Sequence, residues 1–134
     1  MAKDDTVRHL RIGIACTPDK VYAFAANPEN LPSWAQGLGA AVVREGDQWL
    51  VRTPRGQARL RFAPPNPFGV LDHYVSPAPD IEVYVPIRVI AHGTGSEVVF
   101  TLFRQPGMSD EQFAADASLV EQDLAALKAV LEKP

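Results

Sequence analysis

The stretch SDEQFAADASLVEQDLAALKAVLEK (Ser109–Lys133) decides the fold of this chain. Apolar residues recur in it at alternating steps of four and three, which keeps them on one narrow face of a helix. They are Phe113, Ala117, Val120, Leu124, Leu127 and Leu131. Ser109 is a favourable N-cap, and Gln112 completes a capping box. Mainly strands precede this helix, so we predict that its stripe crosses a sheet, with space left at the small residues Ala117 and Val120.

The chain before this helix is predicted to form one strand, two short helices and a series of hairpins. Val7–Ala15 alternates apolar and polar residues, as a half-buried strand does. Helices are predicted over Pro18–Ala26, where Thr17 supplies the N-cap, and over Asn30–Gln36. Turn signals then separate the strands. They lie at Gly46-Asp47, Pro54-Arg55, Pro64 to Gly69, Ser76 to Asp80, and Thr94-Gly95.

The five hairpins can be tested against one another, because paired residues of antiparallel strands share a face. The predicted pairs are Val42–Val51, Trp49–Leu60, Val51–Ala58, Leu60–His73, Phe62–Leu71, Leu71–Val85, His73–Val83, Val89–Phe100 and Ile87–Leu102. All of them agree on one inner face, formed by Val42, Trp49, Val51, Ala58, Leu60, Phe62, Leu71, His73, Val75, Val83, Val85, Ile87, Val89, Val98, Phe100 and Leu102. The outer face carries Arg52, Arg59, Arg61, Asp72, Tyr74, Glu82, Arg88 and Glu97, with Arg61 opposite Asp72. A bulge at Pro86 would instead turn Arg88 inward.

Composition limits the function classes. The chain has 134 residues, of which 46% are hydrophobic and 22% charged, so we expect one domain over residues 1–134. A net charge of −3 without a Lys/Arg cluster argues against nucleic acid as the main partner. Cys16 is the single cysteine, which excludes an intrachain disulfide. With no apolar signal core and no membrane-spanning run, a cytoplasmic protein is expected.

Four further segments carry a resemblance to a known superfamily: TPDKVYAFAANPENLPSWA (Thr17–Ala35), FGVLDHYV (Phe68–Val75), VPIRVI (Val85–Ile90) and GSEVVFTLFR (Gly95–Arg104). Together with the C-terminal helix, they resemble the SRPBCC superfamily. It includes START lipid-transfer domains, plant pollen-allergen-like proteins and the polyketide cyclase/dehydrase group. The resemblance covers nearly the whole chain and implies an α+β helix-grip fold. In that fold a curved antiparallel sheet of about seven strands wraps around the long C-terminal helix, and two short helices after the first strand close one end of a cavity.

The first functional hypothesis is binding of a small hydrophobic or aromatic ligand, lipid- or polyketide-like, between sheet and helix. The predicted ligand-binding residues are Trp34, Trp49, Leu60, Phe62, His73, Val85, Ile87, Phe100, Phe113, Ala117 and Val120. Most of them lie on the inner face or on the helical stripe. Large aromatic residues fill cores more often than they bind ligands, so a purely structural role for both tryptophans remains open.

His73 is the one ionisable residue in the middle of the inner face. Burial disfavours a charged imidazole, and a neutral one can accept a proton. The second hypothesis is therefore a polyketide cyclase or dehydratase with His73 as general base, and with Tyr84 or an inward Arg88 polarising a carbonyl. The alternative is that His73 only hydrogen-bonds within the core. Asp116 and Asp123, at the edge of the stripe, are interpreted as solvated flanking charges, with an approach to His73 as the alternative.

A third hypothesis is a domain that binds a protein partner through the outer sheet face. Other chemistry finds little support in the sequence. His9, His73 and His92 lie on separate strands without ligand spacing, so no metal site is predicted. Cys16 has no histidine near it, and Gly37-Leu38-Gly39 is not a dinucleotide-binding motif. No cofactor is expected, and the oligomeric state stays open.

Overall fold

The structure is a computed structural model that describes residues 6–35, 41–53 and 56–133. Within these residues it contains eight strands, three α-helices and one 3₁₀ helix. The strands are β1 (Val7–Ile14), β2 (Ala41–Glu45), β3 (Gln48–Thr53), β4 (Gly56–Phe62), β5 (His73–Ala78), β6 (Ile81–Val85), β7 (Ile87–His92) and β8 (Gly95–Phe103). The helices are α1 (Pro18–Ala25), the 3₁₀ helix (Pro28–Asn30), α2 (Leu31–Trp34) and α3 (Asp110–Leu131).

The strands form two antiparallel sheets around α3. One sheet has the order β1-β8-β7, and the other has the order β2-β3-β4-β5-β6. The chain passes from the second sheet to the first at Pro86, between β6 and β7. The loop between β4 and β5 also joins them, since the Leu71 N–H donates to the Ile87 carbonyl oxygen at 2.8 Å and the Val89 N–H to the Gly69 carbonyl oxygen at 2.9 Å. The predicted α+β helix-grip fold is confirmed, with eight strands where about seven were expected.

The C-terminal helix forms as its sequence predicts. All six residues of the apolar stripe are buried. The capping box is complete, because the Gln112 N–H donates to Ser109 Oγ at 3.1 Å and the Ser109 N–H donates to Gln112 Oε1 at 2.9 Å. The helix packs on β1 and α2. Its last turn is tied to the end of β1, where Lys128 Nζ donates to the Gly13 carbonyl oxygen at 2.9 Å.

The predicted short helices are present with altered bounds. The predicted segment Pro18–Ala26 corresponds to α1. The predicted segment Asn30–Gln36 corresponds to α2, which follows the 3₁₀ turn and ends at Trp34. Asn27 explains the early 3₁₀ turn, since its side chain accepts a hydrogen bond from the Glu29 N–H at 3.1 Å. Gln36, the Gly37–Gly39 segment and the Pro54-Arg55 turn lie outside the described residues.

The first two hairpins have the predicted register, and the next three are each displaced by two residues. Val42–Val51, Trp49–Leu60 and Val51–Ala58 pair as predicted. The pairs predicted for the later hairpins are wrong; the structure pairs Leu60–Val75, Phe62–His73, His73–Val85, Val75–Val83, Ile87–Phe100 and Val89–Val98. A two-residue shift leaves every side chain on its face, because the side-chain period of a strand is two. The predicted inner face therefore survives the wrong registers.

Of two expectations for the outer face, the pairing of Arg61 with Asp72 is wrong and the outer position of Arg88 is confirmed. Arg61 does not pair with Asp72: it lies beside Tyr74 in the register and binds Glu82, with 3.0 Å between Nη2 and Oε2. The alternative, a bulge that would turn Arg88 inward, does not form, because Pro86 stands between β6 and β7 rather than inside a strand. Arg88 is exposed and binds Asp72 with its Nε at 2.8 Å and its Nη2 at 2.7 Å.

Candidate functional site

A groove of about 220 Å³ runs between α3 and the inner face of the sheets. Its sheet side is formed by β5, β6 and β8, and its helix side by the middle of α3. We call it the groove; its walls are His73, Val75, Val85, Phe100, Leu102, Asp116, Leu119, Val120 and Asp123. The groove exists because α3 packs on β1 and α2, which leaves the flank of the helix that faces β5 and β6 uncovered.

A much smaller cavity of about 30 Å³ lies on the other side of His73, beneath the short helices. We call it the inner cavity; it is lined by Ala25, Leu31, Trp34, Phe62, Leu71, His73 and Ile87. His73 lines both spaces. A third cavity of about 150 Å³, the Trp49 cavity, shares Phe62 and Leu71 with the inner cavity. Each of these spaces therefore shares lining residues with a neighbour.

His73 occupies the first position of β5, between Phe62 of β4 and Val85 of β6. Only 5% of it is exposed, and its ring lies 5.1 Å from that of Phe62. Its Nδ1 is 3.1 Å from the Leu71 carbonyl oxygen. A carbonyl can only accept, so Nδ1 carries the hydrogen and Nε2 is left with a lone pair. The prediction of a buried histidine on the inner face is confirmed.

Burial lowers the pKa of His73, because desolvation penalises the charged imidazole. The hydrogen bond to Leu71 and the negative charge of Asp72 oppose this effect, and desolvation outweighs both. The imidazole is therefore neutral at pH 7. A neutral ring with a free Nε2 can accept a hydrogen bond or a proton.

Trp34 is the last residue of α2 and only 5% exposed. Its indole Nε1–H is the one buried side-chain N or O atom in the described part of the chain that has no hydrogen-bond partner. An unsatisfied buried donor costs about 1–3 kcal/mol, so an orphaned indole N–H requires an explanation. Trp34 and His73 line the same inner cavity, although they are far apart in the sequence.

Two carboxylates lie in the wall of the groove. Asp116 and Asp123 are half-buried, seven residues apart on α3, and flank Leu119 and Val120. This position agrees with the alternative that they approach His73 better than with their interpretation as solvated flanking charges. The i, i+3/i+4, i+7 spacing of Asp116, Val120 and Asp123, beside an exposed leucine, is the sequence signal that could have indicated it. Leu119, Val75 and Leu102 also line the groove, although the sequence analysis did not include them among the ligand-binding residues.

The structure distributes the predicted ligand-binding residues among these spaces. His73, Val85, Phe100 and Val120 line the groove. Trp34, Phe62 and Ile87 line the inner cavity, and Trp49 lines the Trp49 cavity. Leu60, Phe113 and Ala117 are buried and line none of the three. Phe113 instead lies beneath the guanidinium groups of Arg8 and Arg104.

The groups considered as carbonyl-polarising partners of His73 lie on the outer face. The Tyr84 hydroxyl donates to Asp72 Oδ2 at 2.7 Å, and Arg88 binds the same carboxylate. Hydrogen bonds from Arg88 are the main reason that the pKa of Asp72 is lowered, and the carboxylate in turn raises the pKa of Arg88 and of Tyr84. The Ile87 N–H also donates to Asp72 Oδ1 at 3.1 Å. This cluster is therefore a structural link across the start of β7, outside the groove.

Residues 6–35, 41–53 and 56–133 contain no group of three or more His, Cys, Asp or Glu side chains placed to hold a metal ion. None of the helices in these ranges is long and apolar enough to cross a membrane.

Comparison with known proteins shows the fold. No protein-family model matches the chain, and no curated protein does. Solved structures do match. The Aha1 dimer from Colwellia psychrerythraea has a TM-score of 0.76 at 18% identity, covering 94% of this chain and 96% of that one. Ara h 8.0201 has a TM-score of 0.68 at 13% identity, covering 93% and 96% of the two chains. DynU16, from the dynemicin biosynthetic locus, has a TM-score of 0.73 at 16% identity, covering 96% of this chain and 48% of that one.

These similarities confirm the helix-grip fold that the sequence resemblance implied. At such sequence identities they show the fold alone, so the function has to be argued from the residues of the groove.

Proposed function

We propose that this protein binds a small apolar or aromatic ligand, lipid- or polyketide-like, in the groove between α3 and the sheets. The observation that carries the proposal is the groove itself, a mainly apolar space of about 220 Å³ that lies between α3 and the sheets. Structural neighbours such as Ara h 8.0201 and DynU16 support the proposal at the level of a shared fold.

The groove favours an apolar ligand because its walls are mainly aliphatic and aromatic. Val75, Val85, Phe100, Leu102 and Val120 would contact the body of a ligand. Its polar wall residues are His73 on the sheet side and the two aspartates on the helix. A few placed polar groups in an apolar pocket are typical of small-molecule sites.

The size of the groove limits the ligand. Its volume of about 220 Å³ lies below the ~300–1,000 Å³ of typical small-molecule pockets. A ligand of one or two fused rings, or a short acyl chain, is the appropriate size. The carboxylates of Asp116 and Asp123 would disfavour an anionic group at the helix side of the groove.

The proposal can be tested with 2-methylnaphthalene as a neutral two-ring probe in equilibrium dialysis. Leu119→Trp places an indole at the rim of the groove, on a residue that is already half-exposed. Ala125→Trp adds the same side chain on the exposed surface of α3 and is the matched control. We expect the wild type and Ala125→Trp to bind the probe equally, and Leu119→Trp to bind at least tenfold more weakly. Equal binding by all three proteins would contradict the proposal.

A second candidate function, dehydration of a β-hydroxy ketone, is favoured by the state of His73. Its neutral imidazole lines the groove, and the hydrogen bond to Leu71 leaves Nε2 as an acceptor. Nε2 would take a proton from the carbon beside the ketone and pass it to the departing hydroxyl, which leaves as water, so the imidazole ends neutral. Asp116 and Asp123 bring further ionisable groups to the same space.

This candidate is tested with 4-hydroxy-4-phenyl-2-butanone, whose dehydration gives a conjugated enone that absorbs in the near ultraviolet. We expect the wild type to accelerate enone formation and His73→Leu to lose the acceleration. Turnover that persists in His73→Leu would exclude His73 as the base. Absence of turnover in the wild type, with 2-methylnaphthalene still bound, would leave binding as the function.

A further inference from the structure

We propose that the Trp49 cavity is a second binding site, separate from the groove, for a small uncharged molecule built on a single aromatic ring. The cavity has a volume of about 150 Å³, and no residue of α3, which the structure describes in full, lines it. This site goes beyond the proposed function, because it lies in another part of the molecule and takes a smaller ligand.

The walls of the cavity come from three parts of the chain that meet at the inner face of the second sheet. β3 and β4 supply Trp49 and Phe62, and α1 supplies Tyr22. The segment after α1 and the loop between β4 and β5 supply the rest of the wall, with alanine, proline, valine and leucine residues. Three aromatic side chains therefore line one small and mainly apolar space.

The loop between β4 and β5 is held in place by Asn66. Its Oδ1 accepts hydrogen bonds from the N–H groups of Phe68 and Val70, both at 3.0 Å, and its Nδ2 donates to the Val70 carbonyl oxygen at 2.9 Å. The Asn66 N–H donates to the Tyr22 hydroxyl oxygen at 3.1 Å, which ties the loop to α1. The wall is thus formed before a ligand arrives, and a preformed site loses less conformational entropy on binding.

The volume of the cavity fits one aromatic ring. In an engineered protein, an apolar cavity of about 150 Å³ stays dry and binds benzene. The Trp49 cavity has the same volume, and its lining includes Pro65, which is exposed. The cavity therefore reaches the protein surface, where a ligand can enter.

The lining selects an uncharged ring. The rings of Tyr22, Trp49 and Phe62 can contact a bound aromatic ring in edge-to-face or offset-stacked geometry. None of the described residues that line the cavity carries a charge, so an ionised group would lose its water there without gaining a counter-charge. The guanidinium group of Arg44 lies over Trp49, 5.8 Å from the ring centroid, but Arg44 is not among those lining residues.

The location is tested by intermolecular nuclear Overhauser effects between toluene and the labelled methyl groups of the protein. We expect contacts from toluene to Ala26 and Ala63, which line the Trp49 cavity and neither the groove nor the inner cavity. Contacts confined to groove residues such as Leu102 and Val120 would overturn the proposal, and so would a failure of toluene to bind.

The affinity is tested by filling the cavity. Ala26→Leu adds three carbon atoms to one wall, Ala63→Leu makes the same change in the β4–β5 loop, and Ala125→Leu makes it on the exposed surface of α3 as the matched control. We expect each cavity variant that folds to bind toluene at least about tenfold more weakly than the wild type, and Ala125→Leu to bind within about twofold. Unchanged toluene binding in the cavity variants would overturn the site.

The ligand class is tested with benzoate, which carries a carboxylate in place of the methyl group of toluene. We expect benzoate to bind at least about tenfold more weakly than toluene, because the carboxylate must give up its water. Equal affinities would overturn the preference for an uncharged ring.

Failure of this site and failure of the proposed function are distinguished by Leu119→Trp, which obstructs the groove. We expect this variant to keep toluene binding within about twofold of the wild type while its binding of 2-methylnaphthalene is weakened. A loss of toluene binding in Leu119→Trp would assign toluene to the groove and overturn the second site. If 2-methylnaphthalene does not bind the wild type but toluene still contacts Ala26 and Ala63, the proposed function fails and the second site stands.

Discussion

His73 donates its Nδ1 hydrogen to the carbonyl oxygen of Leu71, two residues before it, at 3.1 Å. This bond sets the tautomer of the only buried histidine in the described part of the chain. It also occupies the Nδ1 edge of a ring that lines both the groove and the inner cavity. The chemical character of the site follows from it, because Nε2 is then an acceptor.

The buried imidazole makes the stability of the protein depend on pH. Its pKa is lowered in the folded state, whereas in the unfolded chain it is near the ordinary value of about 6.5. Below about pH 6.5 the unfolded state therefore binds a proton that the folded state does not. We expect the free energy of unfolding to fall from pH 7 to pH 5.5, as measured by urea denaturation.

The matched variant for this prediction is His73→Leu, which keeps an apolar side chain at the position. It should show a smaller fall over the same interval, whatever its stability at pH 7. Carboxylates with lowered pKa, such as Asp72, lose their contribution only at more acidic pH, since they must be protonated to lose it. Equal slopes for the two proteins between pH 7 and pH 5.5 would show that His73 is not the group responsible.

Two leucines on α3 test how the helix is held. Leu127 is 0% exposed in the core, and Leu119 is 47% exposed at the rim of the groove. Leu127→Ala should lower the free energy of unfolding by about 2–5 kcal/mol, because it leaves a cavity in packed surroundings. Leu119→Ala should change it by less than about 0.5 kcal/mol. Similar losses for both would mean that the groove flank of α3 is as closely packed as its stripe.

The carboxylate of Asp72 is predicted to be the most important charged group of the outer face. Its side chain is 13% exposed and accepts hydrogen bonds from Arg88, Tyr84 and the Ile87 N–H. Asp72→Ala should lower the free energy of unfolding by about 2 kcal/mol. The control is Glu82→Ala, which removes the half-exposed partner of Arg61 and should cost less than about 1 kcal/mol. A smaller loss in Asp72→Ala than in Glu82→Ala would refute the structural link.

Gly69 tests the junction between the sheets. It has a φ of +73°, and an added Cβ would collide with the Val89 carbonyl oxygen, while Gly107 has a φ of +80° and an added Cβ there meets no described atom within 4 Å. Gly107→Ala should cost about 1–2 kcal/mol for its backbone conformation alone. Gly69→Ala should cost about 1–3 kcal/mol more, because Val89 must also move. Equal melting temperatures for the two variants would contradict the close approach.

The sequence predicts the faces of the sheets better than their registers, for a physical reason. To assign a residue to a face, it is enough to know whether it lies at an odd or an even position along its strand. Each wrong register was displaced by two residues, which leaves that assignment unchanged. The final hairpin shows the cause: Gly93, Thr94 and Gly95 offer two adjacent turns, and the structure uses Gly93-Thr94, with the positive φ at Gly93. The β4–β5 register depends on Gly69 and Leu71 pairing with β7, a contact that local pattern does not contain.

The sequence also predicts only part of the candidate site, because it indicates which face a residue lies on and does not indicate how the helices pack on the sheets. A buried, neutral His73 follows from its place on an apolar face, and the structure agrees. Trp34 and His73 line the same cavity because of the way α2 packs against the sheet, and no spacing in the sequence indicates that packing. The groove wall formed by Asp116, Leu119 and Asp123 depends on which flank of α3 is left uncovered.

The most direct test of ligand binding in the groove is to measure intermolecular nuclear Overhauser effects between 2-methylnaphthalene and the methyl groups of the labelled protein. We predict contacts from the probe to Val85, Leu102 and Val120, which belong to two sheets and one helix and share only the groove. Contacts confined to exposed apolar residues such as Val43 or Ile90, with none to the groove valines, would contradict the proposed site.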